Sequence, residues 1–118
     1  MIVLPFPPAT LSGHANGNGR WRKIAVTKEW RAKARTAAIN ALPPVFIQSL
    51  PEHDDIHVHV SFFPPDRRGD RFNYPNRLKP VVDGIADALQ VNDRRFHPHF
   101  YFCPIDRANP RIEVRIGT

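Results

Sequence analysis

The chain of 118 residues contains a single cysteine, Cys103. That count excludes an internal disulfide framework and a cysteine-based zinc centre. No stretch approaches the roughly 18 apolar residues that a membrane-spanning helix needs. The opening segment, Met1 to Pro8, lacks the charged region and long apolar run of a secretion signal. These absences lead us to expect a soluble cytoplasmic protein with no membrane partner. The glycine-rich stretch 9–20 has neither GxGxxG nor Walker spacing, so no nucleotide cradle is read there and no small-molecule cofactor is expected. It reads instead as a loop. Internal repeats are absent, and the length fits one domain over residues 1–118.

Acidic residues are scarce as well. Eleven Asp+Glu face 17 Lys+Arg, for a net charge of +6 with histidine neutral. The excess is localised. Arg20, Arg22, Lys23, Lys28, Arg31, Lys33 and Arg35 are opposed only by Glu29. Clustered bases with a sequence pI near 10.2 are the footprint of a polyanion binder. The plain alternative is a solvated surface that keeps a small protein in solution. Further along, Arg67, Arg68, Arg71, Arg77, Lys79, Arg94 and Arg95 are interleaved with Asp66, Asp70, Asp83, Asp87 and Asp93. A pure phosphate binder gains nothing from carboxylates beside phosphates, whereas an enzyme that brings Mg²⁺ to a phosphate needs both.

What remains reads as a globular α+β domain: a small mixed β-sheet with two main helices, in the order β-α-β-α-β-β. Ile2 to Phe6 form a first strand, stopped by Pro7 and Pro8. Thr27 can cap a helix over about residues 28–41, with Trp30, Ala34, Ala37 and Ala41 on one stripe and Pro43-Pro44 at its end. Residues 56–63 alternate with period two: Ile56, Val58, Val60 and Phe62 face one side, His57 and His59 the other. The two histidines could ligate a metal; the plain alternative is the wetter face of a half-buried strand. A second helix starts near Pro75 and runs to Leu89, burying Leu78, Val82, Ile85 and Leu89. Lys79, Asp83 and Asp87 share its polar face. Pro80 and Gly84 weaken that helix. Phe100 and Phe102, then Ile112, Val114 and Ile116, alternate like a final pair of strands.

The segments Pro64–Asn73, Arg77–Leu89 and Val91–Phe96 together resemble the RusA family of Holliday junction resolvases. The opening Leu4-Pro-Phe-Pro-Pro8, the basic helix and the strand before Pro64 fit the same family, of phage and prophage type. The resemblance implies a homodimer that binds four-way DNA junctions and cuts two strands with Mg²⁺ or Mn²⁺. The family pattern is Asp-x-Asp-Asn, a lysine on the next helix and an Asp-Asp pair beyond it. Asp70 and Asn73 match the loop, Lys79 the lysine, Asp83 an acidic helix position and Asp93 the second member of the pair. Two positions depart: Phe72 stands where the second loop aspartate is expected, and Asn92 where the pair begins. Phenylalanine cannot ligate Mg²⁺.

By this resemblance Asp70 and Asp93 are the first metal ligands and Asp83 a third. Lys79 is the cation aimed at charge growing on the phosphate; read without the resemblance, it forms an i,i+4 ion pair with Asp83. Arg67, Arg68, Arg71, Asn73 and Arg77, with Arg31, Lys33 and Arg35 of the basic helix, are the expected DNA contacts. Spacing alone does not bring Asp70 to Asp93. Either the loops fold back or the two come from different subunits. The competing expectations are a junction-binding protein of the same fold with weakened chemistry, and an ordinary basic nucleic-acid-binding domain.

Overall fold

The computed structural model describes residues 1–12 and 18–118. Four strands, β1 (Ile2–Pro5), β2 (Ile56–Phe63), β3 (Phe96–Phe102) and β4 (Arg111–Ile116), form one mixed sheet in the order β1-β4-β2-β3. The helices are α1 (Asn18–Ala41), a short α2 (Pro44–Gln48) and α3 (Lys79–Leu89). The α+β class agrees with the sequence reading, and the order differs from β-α-β-α-β-β by the added short helix α2. One core unites the chain from Ile2 to Ile116. Ile56, Val58, Val60 and Phe62 of β2 join Ile112 and Val114 of β4, and meet Trp30, Ala34 and Ala38 of α1 and Val81, Ile85 and Leu89 of α3.

The last two strands are not a pair. β3 runs parallel to β2 at the sheet edge, and β4 lies antiparallel between β1 and β2. A parallel β2–β3 neighbourhood needs a crossover, and α3 supplies it. Alternation within a strand selects its buried face, not its neighbour. Pro98 has no N–H to donate, which suits an edge position.

Helix α1 begins ten residues before the expected start, so Thr27 lies inside it rather than capping it. Val26, four residues before Trp30, continues the apolar stripe past Thr27 and packs against the core. No proline intervenes between Pro8 and Pro43 to stop the helix. Within the loop expected over residues 9–20, Ala9–Leu11 form a 3₁₀ turn, residues 18–20 belong to α1, and residues 13–17 lie outside the described residues. Pro44 both follows α1 and opens α2, which went unread.

The second helix also moves. Pro75–Arg77 make a separate 3₁₀ turn, and α3 starts at Lys79 with Pro80 in its first turn. Deeper in a helix, Pro80 would lack a hydrogen bond and strike the preceding turn. Gly84 is the closest approach of α3 to α1. A methyl there would overlap the Arg31 carbonyl oxygen and come within 2.9 Å of Ala34 Cβ. The glycine that weakens α3 locally is what lets the two helices meet.

Candidate functional site

Helix α3 presents Lys79 and Asp83 one turn apart, and Lys79 Nζ lies 3.0 Å from Asp83 Oδ1. The helix ends with Gln90 in the left-handed region at φ 56°. Gln90 N–H donates to the Asp87 carbonyl at 3.3 Å and Val91 N–H to the Ala86 carbonyl at 3.2 Å, the paired bonds of a Schellman stop. From Leu89 to Asp93 the chain can span at most about 14 Å. It doubles back alongside a helix about 15 Å long. Asn92 then caps a 3₁₀ turn over Asp93–Arg95, its Oδ1 accepting from Arg94 N–H at 3.0 Å. Asp93 Oδ2 thereby accepts a short hydrogen bond from Lys79 Nζ.

Two carboxylates thus converge on one ammonium. Hydrogen bonds from Lys79 to Asp93 and Asp83 raise the lysine above its ordinary pKa. The same bond from Lys79 holds Asp93 below the usual aspartate range. Near neutral pH Lys79 is a fixed cation and cannot serve as a base, while Asp93 stays ionised. The pair opens onto a groove of about 420 Å³ whose apolar wall includes Val58, Val60, Val82, Pro98 and Phe100.

Asp70 lines a different part of the surface. Its Oδ1 accepts from Phe72 N–H at 2.9 Å, capping a 3₁₀ turn over Arg71–Asn73, and its carbonyl accepts from Asn73 N–H at 2.9 Å. It lines a second cavity, about 690 Å³, with Arg67, Arg71, Phe72, Tyr74 and Ile105. The two cavities share none of their lining residues. The structure brings Lys79, Asp83 and Asp93 together, while Asp70 makes no hydrogen bond or ion pair with them among the described residues and lines the other cavity. Phe72 is 89% exposed at the rim of its cavity.

The expected DNA contacts divide. Arg67, Arg71 and Asn73 are exposed around the Asp70 loop. Arg68 is exposed too, with its N–H on Asp66 Oδ1 at 2.9 Å. On α1, Arg35 is exposed, and Lys33 lies 3.9 Å from Glu29 and 4.8 Å from the Trp30 ring centre. Two arginines have structural employment. Arg77 Nη1 donates to the Pro7 carbonyl at 3.0 Å, and its guanidinium sits over the Tyr74 and Phe6 rings. Arg31 forms a two-pronged bridge to Asp87 across the α1–α3 contact.

Sequence reasoning missed that bridge because α1 and α3 are 56 positions apart at these residues. It also missed Arg111, which lies 2.8 Å from both Asp106 and Glu113 and stacks 4.0 Å from the Phe63 ring centre. The pairing of His57 and His59 with His97 and His99 was missed too: the strand expected around Phe100 and Phe102 starts at Phe96 and takes in both later histidines, and their union with β2 depends on the register.

No protein-family profile matches the chain. No solved structure matches it. An uncharacterized protein of Xylella fastidiosa (strain Temecula1 / ATCC 700964) is 39% identical over 99 residues, covering 83% of this chain and 63% of the relative. The chain spans less than two thirds of that relative's length. Among the described residues, no helix is long and apolar enough to cross a membrane.

Proposed function

We propose that this chain is a metal-dependent, structure-selective endodeoxyribonuclease that acts as a homodimer on four-way DNA junctions in the cytoplasm. The observation that carries the reading is the meeting of Asp83 and Asp93 on Lys79. Those are acidic and basic positions for which the family resemblance gives a catalytic use. The donor set suits Mg²⁺ or Mn²⁺: aspartate oxygens are hard ligands, and these ions keep several waters, so two or three carboxylates suffice. Asp83 and Asp93 already share one cation, the Lys79 ammonium, and their side chains are 24% and 31% exposed, open to another. When bound, the ion supplies a Lewis acid that acidifies a water and offsets charge on the phosphoryl oxygens.

The protein's own groups do the rest. Hydrolysis joins a water oxygen to phosphorus and breaks one P–O ester bond; one water proton reaches the leaving oxygen and the other goes to solvent. Lys79, permanently charged, offsets the negative charge that grows on the phosphate. Asp93, ionised, would hold the ion together with Asp83. Arg67, Arg68, Arg71 and the bases of α1 hold the DNA backbone, so affinity falls steeply with salt. Junction recognition rests on backbone geometry and two-fold symmetry. Because Asp70 lines a separate cavity, this reading takes it from the second protomer.

A second reading, a junction-binding protein with weakened chemistry, is favoured by one observation: Phe72, at a position where the resemblance wants a carboxylate, is 89% exposed and offers no oxygen to a metal. A labelled synthetic four-way junction with Mg²⁺ or Mn²⁺ separates the two. Symmetric nicks that vanish in Asp93→Asn and Lys79→Ala support the nuclease. Junction-selective binding without nicking supports the second reading. Equal affinity for junction and linear duplex at one salt concentration overturns both.

A further inference from the structure

The polar face of the sheet carries a group of side chains that the proposed nuclease chemistry does not use. In the parallel β2–β3 register, His57 lies beside His97 and His59 beside His99. All four are on the face opposite Val58, Val60, Pro98 and Phe100, so they are back to back with the Lys79 groove. His59 is committed locally. Its Nε2 faces the Gly117 carbonyl at 3.0 Å, which can only accept, so that nitrogen carries the hydrogen. In the neutral ring its Nδ1 then accepts from the Tyr101 hydroxyl at 2.9 Å. The other three rings are differently placed. One ring nitrogen from each of His57, His97 and His99 lies within 4.8 Å of the other two. His57 Nδ1 and His99 Nε2 are 2.8 Å apart, and Asp55 Oδ2 is 3.7 Å from His97 Nδ1.

We propose that His57, His97 and His99 form a binding site for a divalent transition ion, Zn²⁺ by preference, that clamps the edge strand β3 to β2. Three nitrogens around tetrahedral Zn²⁺, each at about 2.0–2.1 Å, stand about 3.4 Å from one another. The present separations, from 2.8 Å to at most 4.8 Å, bracket that value. Small side-chain rotations close the site, and the sheet backbone need not move. Imidazole nitrogen selects Zn²⁺ and its neighbours over Mg²⁺. Asp55 is the nearest carboxylate and can orient the His97 ring, as such partners do at histidine metal sites. Three protein nitrogens leave a fourth position for water. The backbone of β3 is bonded to one strand only, β2, and a bound ion would add a second tie on the far face.

The test uses untagged full-length protein and Zn²⁺ alone in a non-coordinating buffer, read by calorimetry and by thermal unfolding. The expected result is about one ion per chain and an unfolding midpoint that rises with Zn²⁺, since a ligand held only by the native state stabilises it. His97→Ala, at an exposed edge position, should weaken binding by more than about tenfold and remove the midpoint shift. His53→Ala should leave both unchanged. Zn²⁺ titration of the unsubstituted chain, followed by its imidazole resonances, should move those of His57, His97 and His99 and spare His53, which requires no variant. Binding that survives His97→Ala, or an absence of movement at the three imidazoles, would overturn the site. None of these outcomes depends on whether junctions are cut.

Discussion

Arg31 on α1 grips Asp87 on α3 with two hydrogen bonds, Nε to Oδ2 at 2.7 Å and Nη2 to Oδ1 at 2.9 Å. A base counted among DNA contacts is thus also a link between helices. The bond from Arg31 holds the Asp87 carboxyl below the usual aspartate range. With the folded value depressed, the stabilisation is present above the unfolded value of about 3.9 and is lost as pH falls through the folded one. Arg31→Ala should therefore lower the urea midpoint slightly near neutral pH, and its difference from wild type should narrow on acidification. A double-mutant cycle with Asp87→Ala should show coupling that disappears in the same acid range. Because both side chains are solvent-accessible, the effect should be small and weaker in salt.

Gly84→Ala sets two effects against each other. Helix propensity alone favours alanine by about 1 kcal/mol. The new methyl, however, meets the Arg31 backbone and Ala34 Cβ, neither of which can swing away. Overpacking of this kind costs about 1–3 kcal/mol, so net destabilisation is expected, read as a lower urea midpoint with an unchanged slope.

Gln90→Gly should act in the opposite sense. A left-handed backbone costs a side-chain-bearing residue about 1–2 kcal/mol, and glycine escapes this penalty at a helix stop. We expect unfolding free energy to rise by up to about 1 kcal/mol, with part of the gain offset by the greater freedom of glycine in the unfolded chain.

The placement of Asp70 outside the Lys79 cavity makes a mixing experiment decisive for the nuclease reading. Asp70→Asn and Lys79→Ala should each abolish nicking. Asp70→Asn should keep or tighten junction binding, because it removes a negative charge near phosphates. If the site is shared across a two-fold axis, equal mixing of the two variants restores one intact site per mixed dimer, about a quarter of wild-type nicking. No recovery would place both residues' functions in one chain.

Phe72→Asp should leave the fold untouched, since the ring is almost wholly exposed. If a missing carboxylate limits the rate, nicking with Mg²⁺ should increase. An unchanged rate at equal junction affinity would assign that ligand's place to another residue.

The sequence alone was enough to identify β2 from end to end, because the alternation that begins at Ile56 and the stop at Pro64-Pro65 leave one reading of Ile56–Phe63. It also put Lys79 and Asp83 one turn apart, which follows from helical spacing alone. The buried stripe of α3 was nearly right: Leu78, Ile85 and Leu89 are buried as expected, while Val81 is buried and Val82 borders the groove. Local patterns carry this information because each depends on a few neighbouring residues.

Tertiary structure decided what distant segments do to one another. It moved Asp87 from a solvated face to a bridge with Arg31, turned Gly84 from a weak point into the helix crossing, and returned Asp93 to Lys79 through the left-handed turn at Gln90. It also separated β3 from β4 and set the histidines of β3 beside those of β2. Spacing along a chain specifies direction within an element. Which elements become neighbours is set by burial of the whole apolar surface at once, and no single segment contains that information.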